Sequence, residues 1–153
     1  GLLGSTSYVK RLSDEEKAKI VCCMVDDGGT NTQGGIHGLE VMRDYLAAAT
    51  APINGRIFDE TDGKYLNVNV QTQGSMPKGG GSDHASFNAV GIPGFYWDEV
   101  GRANYRLGWH TQHDRFDLVI ENYLIQSATN SAIVAYNLAC APEMLPRKNE
   151  MDQ

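Results

Sequence analysis

The sequence has no excess of basic charge: 13 Lys and Arg stand against 19 Asp and Glu, a formal net charge of −6. Without a basic stripe to neutralise phosphates, the chain is not built for a nucleic-acid or anionic-membrane surface. No apolar run approaches the roughly 20 residues that span a bilayer, so no membrane span is expected. Cysteine is scarce. Three thiols cannot pair completely, and neither a CxxC nor a Cys/His cluster of zinc-finger spacing occurs. That excludes a disulfide framework and reads as three buried thiols. Repeats, linkers and low-complexity segments are also lacking. What is present, 153 residues at 41% hydrophobic and 21% charged, fits one globular domain or part of one.

The order of elements predicts an α/β fold. Gly1–Ser5 delivers the chain into a helix carrying Tyr8, Val9 and Leu12, with Ser5 or Thr6 as N-cap. Ser13 to Glu16 reads as a solvated turn. Ile20–Val25 is a short continuous apolar run ended by Asp, the mark of a strand buried on both faces, which belongs in a parallel sheet. Residues 26–38, rich in Gly, Thr, Asn and Gln, read as a loop. Leu39, Met42, Tyr45 and Leu46 give an amphipathic helix from about 37 to 49. Alternation around 56–58 and 65–70 predicts edge strands. Asp83 can cap a short helix, and Ile92–Trp97 reads as a strand. Residues 98–117 form a long loop of the kind that usually serves function. Leu118–Ala141 is a long helix with Leu124, Ala128, Ala132, Ala135 and Leu138 on one face. Residues 1–146 form the domain and 147–153 a polar tail. The strand–helix alternation predicts a three-layer α/β/α sandwich with a mostly parallel sheet.

The polar clusters follow strands: Asp26-Asp27-Gly-Gly-Thr30 after the first, and the 98–117 loop after Ile92–Trp97. Ligands of open α/β sheets bind at the carboxyl ends of strands, so these clusters converge. An Asp closing a buried strand and a His on a facing loop suit zinc, which takes imidazole nitrogen and carboxylate oxygen. The Asp pair lacks the alternating acids of an EF-hand. No Gly-Lys-Ser/Thr follows the Gly79–Gly81 run, so it is no phosphate cradle. Ser82, Asp83 and His84 are adjacent, unlike a dispersed serine-hydrolase triad. His37 and His113 read as surface or capping residues.

In order along the chain stand Gly1-Leu-Leu-Gly-Ser5, an apolar strand ending in Asp, Gly81-Ser-Asp83 with Phe87, Gly91-Ile-Pro93, and His110-Thr-x-x-Asp114 before a helix. This succession resembles the di-zinc aminopeptidase and carboxypeptidase family, which includes bacterial leucyl aminopeptidases, plasma glutamate carboxypeptidase and glutaminyl cyclase. Glu143-Met-Leu-Pro-Arg147 is similar to the plasma glutamate carboxypeptidase branch. The resemblance implies that His110 ligates one zinc and an Asp after the first strand the other. The Asp-x-Gly-Thr pattern favours Asp27, and the Asp-x-x-Gly pattern favours Asp26. It further implies that Asp83 holds a ligand or the catalytic carboxylate in place, and that Asp114, with Asp117, braces the loop behind His110 and caps the last helix. Ser82, His84, Trp97, Tyr105 and Trp109 would line the substrate cleft.

The family's first His ligand, bridging Asp and Glu-Glu pair lie before the Gly-Leu-Leu-Gly-Ser stretch, so the expected fold is incomplete at its N-terminus. The chain thus reads as a fragment of a zinc exopeptidase, aminopeptidase ahead of carboxypeptidase or dipeptidase, acting on a peptide substrate. Two zincs serve a complete catalytic domain. This chain alone is expected to hold zinc weakly or not at all, to be inactive, and to self-associate through an exposed sheet edge. Relatives are commonly exported, which favours an extracytoplasmic location. Alternative readings are a non-catalytic binding or receptor-type member of the same fold, and a glutaminyl cyclase-like acyltransferase with a single zinc.

Overall fold

The computed structural model describes residues 1–147. It is a mixed α/β arrangement with small parallel and mixed sheets. Strand β1 (Cys23–Val25) runs parallel to β6 (Gly94–Tyr96), in the register Cys23↔Gly94 to Val25↔Tyr96. A second sheet has β2 (Thr32–Leu39) at its centre, parallel to β5 (Asn69–Gln73) and antiparallel to β7 (Asp98–Val100). A short hairpin, β3 (Phe58–Asp59) with β4 (Lys64–Tyr65), stands apart. The expected apolar strand is therefore present as β1, though half-buried and shorter than the run that announces it.

The main departure is β2. Its Thr-Gln-Gly-Gly-Ile-His-Gly-Leu composition reads as loop, yet it is the most enclosed strand, with only His37 partly exposed. Glycine serves close approach here. A Cβ at Gly35 would fall 2.5 Å from Asp98 Oδ2, and one at Gly38 would fall 2.6 Å from Leu46 Cδ1. Bulk that would normally mark a strand is supplied by neighbours instead.

Helix α1 (Leu3–Arg11) starts before the expected cap. Leu2 holds the N-cap position, and Ser5 and Thr6 lie inside the helix with their hydroxyls on Ser86 Oγ, at 2.9 and 3.0 Å. The segment from Ser13 is a helix, α2 (Asp14–Lys19), closed by a capping box between Ser13 and Glu16. Helix α3 (Arg43–Thr50) begins later than predicted, because Glu40–Met42 forms a 3-10 turn first. Helix α4 (His84–Asn88) has Asp83 at its N-cap position without a side-chain capping bond. The 98–117 stretch is not one loop. It contains β7, the short α5 (Tyr105–Gly108) and a 3-10 turn at Phe116–Leu118.

Helix α6 (Glu121–Ala139) is shorter than predicted and presents a different face. Tyr123, Gln126, Ser127, Asn130, Val134 and Leu138 are buried, whereas Leu124, Ala128, Ala132 and Ala135 are exposed. Val134 and Leu138 join Ile36, Leu39, Met42, Leu46, Phe95 and Trp97 in one core cluster. Each such side chain contributes about 1.5–3 kcal/mol by leaving water. The thiols are not uniformly buried either: Cys140 is exposed and Cys22 and Cys23 half-buried. Burial pushes the Cys22 thiol up to about 12, so it is inert at neutral pH.

Carboxamides substitute for missing strand partners. Gln126 accepts from the Gln33 N–H (3.0 Å) and donates to its carbonyl (3.0 Å). Asn31 does the same for Ala103, and Asn88 for Gly94. Backbone groups that the short strands leave unpaired are satisfied in this way. The Asn31 and Asn88 pairs also fix the two segments that flank the cleft described next. Arg147 is held by the carbonyls of Lys17, Ala18 and Ile20. The remainder of the expected polar tail lies outside the described residues.

Candidate metal and substrate cleft

A cleft of about 790 Å³ opens where β1 ends. Its walls come from the loop after β1 (Asp27, Gly29, Thr30), the loop before α4 (Pro77 to Ser82, with His84), and the α5 region through His110 and Asp114. Both Asp27 and His110 therefore face one space, although 83 positions separate them in the chain.

Asp27 accepts a hydrogen bond from Ser82 Oγ at 2.7 Å, which fixes one carboxylate oxygen and joins two walls of the cleft. Asp26 has other partners. Gln33 Nε2 donates to its Oδ2 at 2.7 Å, Glu99 adjoins it, and it does not line the cleft. The two candidates thus have distinct surroundings, with Asp27 on the open side.

His110 is exposed and sits at φ 57°, in the left-handed region. A side chain other than glycine rarely adopts that conformation, and such residues cluster at functional sites. Its ring stacks on Trp109 (4.3 Å between centroids, 21° between planes), and Trp109 stacks on Tyr105 at 6.0 Å. Thr111 anchors the turn: its Oγ1 donates to the Leu107 carbonyl at 2.6 Å and accepts from the His113 N–H at 3.1 Å. Asn104 caps α5 by accepting from the Leu107 N–H.

Ser82, His84, Tyr105, Trp109 and Asp114 all line the cleft. Trp97 does not; it is 0% exposed and belongs to the core. Its aromatic character is spent in the core cluster just beyond β6. Asp83 is exposed and outside the lining; its charge helps raise the Cys23 thiol, after burial. Of the other histidines, His37 pairs with Asp98 at 2.9 Å on β2 and β7, and His113 is exposed.

Sequence reasoning missed Glu99. Its two carboxyl oxygens are buried without a hydrogen-bond donor, and its Cγ packs where a Cβ at Gly28 would stand 1.8 Å away. Burial first, then the neighbouring Asp26, pushes this carboxyl up to about 9, so it is protonated at neutral pH. Tyr96, also unanticipated in the lining, is pushed up to about 12 by burial and then by Glu99. No signal in the sequence marks Glu99, which lies within β7, because the Asp26–Gly28 turn beside it comes from another segment of the chain.

Among the described residues, no group of three or more His, Cys, Asp or Glu side chains comes together to hold a metal ion. Asp27 and His110 are an oxygen and a nitrogen group of the types zinc takes, and both line one cleft.

The cleft opens at strand ends of an α/β arrangement, the place where such folds bind ligands. The sequence model of peptidase family M28 matches residues 1–135, and the chain belongs to that family. The family is one of zinc-dependent peptidases. Comparison with curated proteins and with solved structures gives no match.

Proposed function

We propose that this chain is part of the catalytic domain of a zinc exopeptidase, folded as a three-layer α/β/α sandwich, and that the activity it serves is that of an aminopeptidase. The observation that carries the reading is the shared cleft of Asp27 and His110. In it, Asp27 and His110 hold zinc, Asp114 and Ser82 keep them in place, and Tyr105 and Trp109 receive the peptide. Asp83 acts from outside the cleft, through the position of the α4 loop. Zinc bound there supplies Lewis acidity toward the scissile carbonyl.

The aminopeptidase preference rests on charge. The described residues lining the cleft include the carboxylates Asp27 and Asp114 and neither lysine nor arginine. A peptide's terminal ammonium suits such a wall, whereas a terminal carboxylate needs a cation to meet it. With fewer than three clustered donors among the described residues, this chain by itself binds zinc weakly and does not hydrolyse peptides. That shortage also favours a second reading, a binding member of the family that takes peptides without metal.

Zinc titration of the isotopically labelled chain tests the first reading. Asp27 and His110 resonances should move together, and both responses should disappear in Asp27→Asn and in His110→Ala. A response at one site with the other silent sinks the shared-site reading. Tight stoichiometric zinc, or peptide turnover, would overturn the inactivity. Leucinamide binding ahead of N-acetylleucine supports the aminopeptidase assignment, and the reverse order removes it. Peptide binding that zinc leaves untouched supports the second reading.

A further inference from the structure

One cleft side chain keeps a sealed ring nitrogen without a hydrogen-bond partner. His84 opens α4 and is 7% exposed, yet its Nδ1 is buried with no hydrogen-bond partner. The ring packs on Tyr96 at 5.4 Å, and the Gly94 backbone closes on the His84 carbonyl from below, where a Cβ would stand 2.3 Å from that oxygen. Its other nitrogen faces the triglycine loop. A Cβ at Gly80 would lie 2.9 Å from Nε2, so only glycine lets the loop cover the ring so closely. A buried histidine serving the fold alone normally has its ring nitrogens satisfied.

The protonation state follows from the same surroundings. Burial lowers the imidazole from its ordinary range, with the Asp83 charge opposing, and no carboxylate bonds the ring to hold a second proton. A neutral imidazole has one N–H and one lone pair. Sealed donors without acceptors are rarer than sealed acceptors without donors, which assigns the lone pair to Nδ1 and the proton to Nε2. That N–H lies beneath the Gly79–Gly81 loop, whose flanking glycines line the cleft. At Gly79 and Gly81 a Cβ would meet nothing within 4 Å, so these two residues border open space on either side of the contact with His84.

We propose that His84 is a peptide-recognition residue of the cleft, donating its Nε2–H to a carbonyl oxygen of the bound substrate beside the Asp27–Ser82 pair. This rests on the cleft being a peptide site, as proposed above. A neutral donor fits that task because it marks the carbonyl without placing a competing cation beside Asp27. The triglycine loop then acts as the cover that exchanges its contact with the ring for the peptide.

The test uses the full chain labelled with ¹⁵N-histidine at neutral pH. Two-bond proton–nitrogen spectra should show His84 neutral with its proton on Nε2, and leucinamide should shift that nitrogen saturably. His84→Gln, which keeps a donor at a similar reach, should bind leucinamide within about threefold of the native chain, and His84→Phe should lose about tenfold, the worth of one hydrogen bond. A proton on Nδ1, a charged ring, native binding by His84→Phe, or no leucinamide binding at all would overturn the proposal. Should His84→Phe not fold, the native tautomer and the His84→Gln affinity decide. The zinc response at Asp27 and His110 is read separately, so loss of that response with His84 behaving as stated would remove the metal reading alone.

Discussion

Where α6 crosses β2, buried amides are paired. Gln126 holds both backbone groups of Gln33, Asn130 Nδ2 donates to Gln33 Oε1 at 2.7 Å, and Ser127 donates to the Asn31 carbonyl. Asn130 Oδ1 is the exception without a donor. Around the cleft the proportions reverse: His84 Nδ1 in its wall, and both oxygens of Glu99 behind the Asp26–Gly28 turn, are sealed from water with no partner. Burying a polar group without a partner costs about 1–3 kcal/mol. At the seam that cost is removed by pairing, and the pairs fix the register of a strand that its own sequence specifies weakly. At the cleft it is retained, as happens where a structure keeps groups for chemistry instead of for stability. Deleting polar groups should therefore have opposite signs in the two regions.

The seam offers the largest effect. Gln126→Leu keeps the helix but strands the N–H and carbonyl of Gln33, two groups in a residue that is 0% exposed. The expected loss is about 2–4 kcal/mol by urea unfolding. Gln126→Glu should cost at least as much, since it keeps an acceptor for the Gln33 N–H but sets a buried carboxylate against the Gln33 carbonyl. A loss below roughly 0.5 kcal/mol in Gln126→Leu would mean the seam is held by packing alone, and the contrast with the cleft wall would dissolve.

Arg102 stands where the two regions meet, on the segment leading to α5. It bonds Asp59 of the β3–β4 hairpin and the Tyr123 hydroxyl of α6, and lies over the Tyr123 ring at 4.8 Å. Arg102→Met should lower the melting temperature by several degrees at neutral pH, because Asp59 is 1% exposed and would keep its charge without that partner. The pH dependence has a definite sign. Burial pushes the Asp59 carboxyl up, but Arg102, Tyr123 and Thr61 outweigh it and hold it below its ordinary value of 3.8. A carboxyl depressed on folding contributes stability that is full above its unfolded value and is lost as pH falls through the folded one. The native chain should accordingly lose stability on acidification below about pH 4, and Arg102→Met should show a flatter acid limb. Parallel acid limbs would show that the cluster is incidental to both regions.

How much of this contrast the residues disclose depends on what each region is made of. Ile20–Val25 reads as a strand because apolar side chains advertise burial, and Asp27 and His110, which line one cleft, stand out because their motifs occur in order. The seam is illegible for the opposite reason. Gly34, Gly35 and Gly38 hide β2 behind a loop-like composition, and Gln126 and Asn130 look solvated although both are 0% exposed. An apolar stripe through Leu124 and Ala128 is the natural reading of α6 until tertiary pairing turns polar groups inward. Trp97 misleads in the same way, since an aromatic beside a functional loop can serve either core or cleft. Glu99 announces nothing, for its burial is created by Gly28 and Asp26 from another segment of the chain.

Glu99 gives the sharpest test of sign. Its carboxyl is raised from an ordinary 4.5 to about 9, by burial first and then by Asp26. A carboxyl raised on folding contributes stability that is full below its unfolded value, and that stability is lost as pH rises toward and through the folded one. Between those limits the unfolded chain ionises and the folded chain does not, so the folded state falls behind as the pH climbs. Glu99→Gln removes the titration while keeping the shape of the side chain. In metal-free chain with a chelator present, the variant should match the native protein near pH 4 and melt higher at pH 8. A gain of roughly 2–4 °C would correspond to each 1 kcal/mol in a chain of this size. The two melting curves measured at both pH values decide the matter: a loss at pH 8 would make Glu99 a seam-like structural group, and the division between paired and unpaired regions would no longer hold.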